Sequence, residues 1–165
     1  MIPIDMARDA SSWIVLYDAD CGFCRWSLAQ VLAMDRDHRL RPVPIDSEEG
    51  TRLLADMPKA EREASWHLVF PDGRRLSAGA AAPPLFRLLR GGRLPAAALA
   101  ASPALTERAY RFVADHRSWF GNLVSASAKA KADRAIERRL ASEDPRAAER
   151  RRAAESRQAT ASSGS

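Results

Sequence analysis

The chain has 165 residues, 46% of them hydrophobic, and only two cysteines. That length suits one domain with an appendage, and two cysteines so close in sequence cannot staple a small secreted scaffold, which leaves redox or metal chemistry in a reducing compartment. The net charge of +5 sits mostly in residues 126–165, with ten basic and six acidic side chains (+4), while the first 125 carry 16 and 15 (+1), so no nucleic-acid partner is expected.

Residues 1–12 read as a loose lead-in. Asp5, Arg8 and Asp9 interrupt it, and without an apolar stretch no signal peptide is expected; a cytoplasmic location follows from that and from the cysteine usage. Trp13 to Tyr17 is a short apolar run that stops at Asp18, the pattern of a buried strand. Cys21 and Cys24 come next. Cys24, Leu28, Val31 and Leu32 then recur at the spacing of one helical face, so a helix is predicted from about Cys21 or Gly22 to Met34. The first cysteine thus falls at a strand-to-helix corner and the second in the first turn. Unpaired backbone N–H groups and the positive end of the macrodipole favour a thiolate there.

Leu40 to Ile45 predicts a second strand. Pro42 and Pro44 cannot donate to a ladder and lie two apart, so both gaps point the same way, as on an edge strand with a solvent-facing outer side. Ser47 is the candidate N-cap of a short helix ending near Met57-Pro58. Residues 59–64 read as a polar connection or a weak helix. Residues 65–70, the turn Pro71-Asp72-Gly73 and residues 74–77 form a hairpin signal. A helix follows with Pro83 or Pro84 in its first turn and Gly91-Gly92 past its end, then a short one from Pro95 to Ala100. Ser102-Pro103 opens another, with Leu105, Ala109, Phe112 and Val113 as its expected apolar side chains. The apolar count of residues 94–105 is mostly alanine broken by prolines, so no membrane span is expected. After residue 125 the only apolar side chains besides alanine are Ile136 and Leu140, which predicts a solvated helix fraying into disorder.

The stretch Tyr17-Asp18-x-Asp20-Cys21-x-x-Cys24-Arg25 resembles the opening motif of the DCC family of thiol-disulfide oxidoreductases, whose DxxCxxC signature falls on Asp18, Cys21 and Cys24. The likeness runs on through Trp66 to Phe70, the Pro71-Asp72-Gly73 turn, Tyr110 and Asp115-His116-Arg117. It implies a thioredoxin-like fold, and the element order agrees: strand, helix, edge strand, helix, hairpin, helix. The expected architecture is a small mixed α/β sheet, a parallel β-α-β unit plus an antiparallel hairpin. The domain would span residues 12–121, with a charged Ala/Arg-rich tail over 122–165.

The predicted chemistry is thiol-disulfide exchange, with Cys21 attacking and Cys24 resolving. The cysteines carry the electrons, so no cofactor is expected; substrate, reductant and oligomeric state are left open. The two Cα atoms should lie about 4.4–6.8 Å apart, as a disulfide needs. Asp18, in the signature, has two roles open to it: capping the helix or moving a proton at a thiol. Asp20 reads first as local structure. Arg25 would favour a thiolate or be solvated. Tyr110 and Trp119 read as core, and His116-Arg117 as cations ending a helix.

Other readings are weaker. Zinc wants four ligands, and His38, His67 and His116 are isolated in sequence. Strand-Asp18-Ala19-Asp20 resembles the opening of haloacid-dehalogenase-like phosphatases, but later paired aspartates are missing and Lys59 is a poor match to their lysine. A non-catalytic thioredoxin-like binding module is the remaining alternative. One departure bears on recognition: thioredoxins place a cis-proline before the strand facing the dithiol, and here Ser65-Trp66 stands there instead.

Overall fold

The computed structural model describes residues 12–143. Four strands form one sheet in the order β2-β1-β3-β4: β1 Trp13–Tyr17, β2 Leu40–Pro44, β3 His67–Val69 and β4 Arg75–Ser77. β1 pairs parallel with β2 and antiparallel with β3, and β3 and β4 close the predicted hairpin. Helices flank the sheet: α1 Gly22–Met34, α2 Glu48–Leu53, α3 Lys59–Ala64, α4 Ala82–Leu88, α5 Arg93–Ala101, α6 Pro103–Asp115, α7 Arg117–Leu123 and α8 Ala126–Glu143. The mixed sheet with flanking helices is thioredoxin-like, as expected.

β1 is buried on both faces because alternate side chains enter two cores. Val15 and Tyr17 pack with Leu28 and Leu32 of α1, Leu68 of β3, Leu85 of α4 and Ile136 of α8. Ile14 and Leu16 pack with Val43, Ile45, Leu54 and Val69 on the other side. Ser47 caps α2 as predicted, its Oγ accepting the Gly50 N–H at 3.0 Å.

β2 is an edge strand, but its outer side does not face solvent. Pro42 is fully buried. The outward Leu40 carbonyl accepts from Arg139 of α8, and the Leu40 N–H donates to Asp35 Oδ2 at 2.9 Å. The outward Pro44 carbonyl accepts from Ser47 Oγ at 2.7 Å. Side chains thus satisfy the groups that a neighbouring strand would otherwise pair.

The expectation of a solvated tail helix is corrected for residues 126–143. α8 packs along α1, burying Ala132, Ile136 and Arg139. Arg139 is 6% exposed and pairs with Asp35, which is 1% exposed and sits just past the end of α1. The inner face is built from alanine, one isoleucine and an arginine with a buried partner, a face that counting large apolar residues misses. The predicted fraying beyond this helix, over 144–165, lies outside the described residues, as does most of the lead-in. On α6 the apolar positions also differ: Leu105 and Phe112 are exposed, while Thr106 is buried and donates to the Leu99 carbonyl at 2.8 Å.

Candidate active site

The corner between β1 and α1 is built by Asp18. Its Oδ1 accepts the N–H groups of Asp20 at 2.9 Å and Cys21 at 3.1 Å, turning the chain from strand into helix. Its Oδ2 lies 3.6 Å from Arg117 at the start of α7. Cys21 is the N-cap of α1, and its Sγ accepts the Cys24 N–H at 3.2 Å. That places sulfur where a helix start offers unpaired donors. The two cysteines form a disulfide with Cα atoms 5.2 Å apart. Ligand atoms of Asp18, Cys21 and Cys24 all lie within 4.8 Å of one another, and all three residues are partly buried.

Such a trio of donors is one short of a tetrahedral structural zinc set, and its two sulfurs are joined here. The histidines are engaged elsewhere. His67 contacts Ser77 Oγ and the Arg62 carbonyl, His38 contacts Arg139, and His116 contacts the Phe112 carbonyl. Lys59 pairs with Glu63 within α3, at 3.5 Å.

Several side chains take places that the sequence did not announce. Arg25 is half-buried, and its partners are a backbone carbonyl and a carboxylate of α8. Its Nη1 donates to the Ala19 carbonyl at 3.0 Å, and its Nε lies 3.0 Å from Asp133 of α8 in an ionic contact that lacks hydrogen-bond alignment. Lys129 of α8 lies against Gly22, within 3.4 Å of where a Cβ would stand. Phe23, between the cysteines, stacks on Trp26 and on Phe120 of α7. Trp119, read as core, is 57% exposed. Asp20 is exposed, its backbone N–H held by Asp18.

A cavity of about 320 Å³ opens beside the dithiol. Cys24, Ser27, Leu28 and Val31 line one wall, the i, i+3, i+4, i+7 stripe of α1. Tyr110, Val113, Ala114 and Arg117 line another with the same spacing. Asp18 and Trp66 also border it; Cys21 does not. Burial raises the Tyr110 phenol above its usual range, and a backbone hydrogen bond from Trp66 partly offsets that. The sequence reads Tyr110 as core and Arg117 as a cation ending a helix; Arg117 instead opens α7, and both border the cavity, a role that neither reading gave them although the family resemblance passed through both.

Residues 15–122 match the family of DCC1-like thiol-disulfide oxidoreductases. Neither a curated protein nor a solved structure matches the chain.

Proposed function

From the premise that this chain belongs to the DCC1-like thiol-disulfide oxidoreductase family, with a CxxC pair at a helix start, we propose that it is an enzyme in which Cys21 attacks and Cys24 resolves. The observation that carries the assignment is the Cys24 N–H donating to Cys21 Sγ at 3.2 Å. A hydrogen bond to sulfur, added to the helix end, stabilises the thiolate over the thiol and lowers its pKa. In the reductive direction, Cys21 thiolate attacks one sulfur of a substrate disulfide. The substrate S–S bond breaks and one thiolate leaves, taking a proton. Cys24 then loses its proton and attacks Cys21 Sγ, expelling the second thiol. Two electrons and two protons pass from the dithiol to the substrate, and the reaction runs backwards with an oxidising partner. No cofactor enters these steps, and a cytoplasmic setting with a dithiol reductant belongs to the same proposal.

Trapping tests the order of events. Cys24→Ser should accumulate mixed disulfides on Cys21, because the resolving thiol is gone, and Cys21→Ser should accumulate few. Alkylation of the reduced protein near pH 7 should label Cys21 first. Equal trapping by both variants, or faster labelling of Cys24, would sink the assignment.

Asp18 is assigned the proton that Cys24 must lose, alongside its part in the corner. Asp18→Asn separates the two, since an amide oxygen still accepts the Asp20 and Cys21 N–H groups but takes no proton. Resolution of the mixed disulfide should slow by about 10² at neutral pH and regain speed as pH rises, with attack by Cys21 little changed. A variant that resolves at the normal rate would leave Asp18 with only its structural part.

A further inference from the structure

The cavity beside the dithiol is a binding site with a definite chemistry. Two helical stripes face it, each carrying apolar side chains beside polar ones. Leu28 and Val31 of α1 and Val113 and Ala114 of α6 supply apolar walls, and Leu85 and Phe86 of α4 extend them. Cys24 and the Asp18–Arg117 pair also border the cavity. An apolar chamber with a few polar groups on its border, here Asp18, Arg117, Ser27, Glu63, Ser65 and Tyr110, is the usual form of a small-molecule site, and about 320 Å³ falls at the small end of that class.

Peptide-like recognition is poorly served here. β3, which begins beside the cavity, has strand neighbours on both sides, so it offers no open edge to an extended chain. Trp66 stands just before it. Its carbonyl accepts the Ala78 N–H at 3.2 Å, and its backbone also hydrogen-bonds the Tyr110 phenol. The backbone groups of Trp66 are therefore engaged within the chain. Burial of a hydrocarbon body, not strand pairing, is what this site can use for recognition.

Resting on the dithiol reading above, the geometry points to a low-molecular-weight, predominantly apolar disulfide, or the thiol it yields, as the substrate class. Its aromatic or branched hydrocarbon half lies between the α1 and α6 stripes and its sulfur lies at the Cys21–Cys24 pair. The reaction is protein dithiol plus R–S–S–R to protein disulfide plus two R–SH, with an external dithiol regenerating the reduced pair. The half held in the cavity is the one bonded to Cys21 in the mixed disulfide, and Cys24, on the cavity wall, expels it.

Two alkyl disulfides of similar intrinsic reactivity test this: dibenzyl disulfide and bis(2-hydroxyethyl) disulfide, with dithiothreitol as reductant and the uncatalysed rates subtracted. The full chain should prefer dibenzyl disulfide by about tenfold or more in kcat/KM, the scale of burying one aromatic group. Val113→Trp and Ala114→Phe, each checked for folding by circular dichroism, fill the chamber from the α6 side and should reduce the preference towards one. Dibenzyl sulfide, which has no S–S bond to exchange, should quench the fluorescence of Trp66 and inhibit competitively with dibenzyl disulfide. Equal efficiency with both disulfides, or a preference that both filled variants retain, would overturn the cavity proposal while leaving the dithiol chemistry in place. So would insulin disulfides being reduced with higher kcat/KM than dibenzyl disulfide. Absence of turnover with every disulfide, in a protein whose Cys21–Cys24 pair fails to cycle, would instead remove the reading beneath it and the cavity proposal with it.

Discussion

His67 holds a hydrogen bond at each ring nitrogen in a fully buried position. Nε2 lies 3.0 Å from the Arg62 carbonyl, which can only accept, so that nitrogen carries the proton; Nδ1, 2.7 Å from Ser77 Oγ, then accepts from the hydroxyl. Both bonds are made by the neutral ring, and burial pushes the imidazole below its ordinary value of 6.5. Stability from this group is therefore complete above about pH 6.5, where the unfolded chain is also neutral. It falls as pH drops, because the unfolded chain takes up the proton first. Urea midpoints measured from pH 7.5 to 5 should decline on the acid side, and His67→Gln should flatten that decline while lowering the midpoint at pH 7.5. An unchanged slope in the variant would show that another group titrates. The acidic residues with resolved shifts act lower. Glu49, held down by its hydrogen bonds to Arg41, contributes stability that is present above its ordinary value of 4.5 and is lost as pH falls from there through its lowered one. Its place in the predicted strand over residues 65–70 makes His67 a core or interface residue before it is a catalyst, and it lies in the core. Arg117 was not legible in the same way. An arginine in the sequence carries no sign of whether it ends one helix or begins the next beside Asp18.

At the scale of elements, α8 shows what local pattern cannot supply. β1 and α1 were readable because the apolar run, its abrupt end and the repeat from Cys24 all lie within 20 neighbouring residues. The hairpin was readable from Pro71-Asp72-Gly73, where Gly73 takes φ +84°, a left-handed conformation that glycine adopts without strain. α8 has no such signature. Its inner face is apolar through Ala132, Ala135 and Ile136, with isoleucine the one large side chain, and it closes on Asp35 through Arg139, a partner 104 residues away. Ile136→Ala should destabilise the protein by about 2–5 kcal/mol. Arg139→Met should cost about 3–5 kcal/mol, because it leaves Asp35 charged and buried without its cation. Asp35→Asn added to Arg139→Met should recover part of that loss. Urea denaturation of the four proteins provides the measurement. Single variants within about 0.5 kcal/mol of the parent would mean that α8 is dispensable.

For the molecule as a whole, the family match ends at residue 122, yet the packed structure continues to residue 143. The thioredoxin-like sheet was legible because strand order follows from the β-α-β unit, the hairpin and the prolines of β2. Which residues face the dithiol was not, because the cavity is formed by α1, α4 and α6 meeting across intervals that no repeat in the sequence encodes. Nor did the sequence show that α8 returns to the corner, with Lys129 over Gly22 and Asp133 beside Arg25. That return has a consequence in time. Cys24 is translated 115 residues before Arg139. At cellular elongation rates this interval is on the order of ten seconds. Throughout it, the nascent chain carries both thiols without the helix that covers their corner, and each new molecule begins its redox life open to whatever thiol or disulfide reaches the ribosome first.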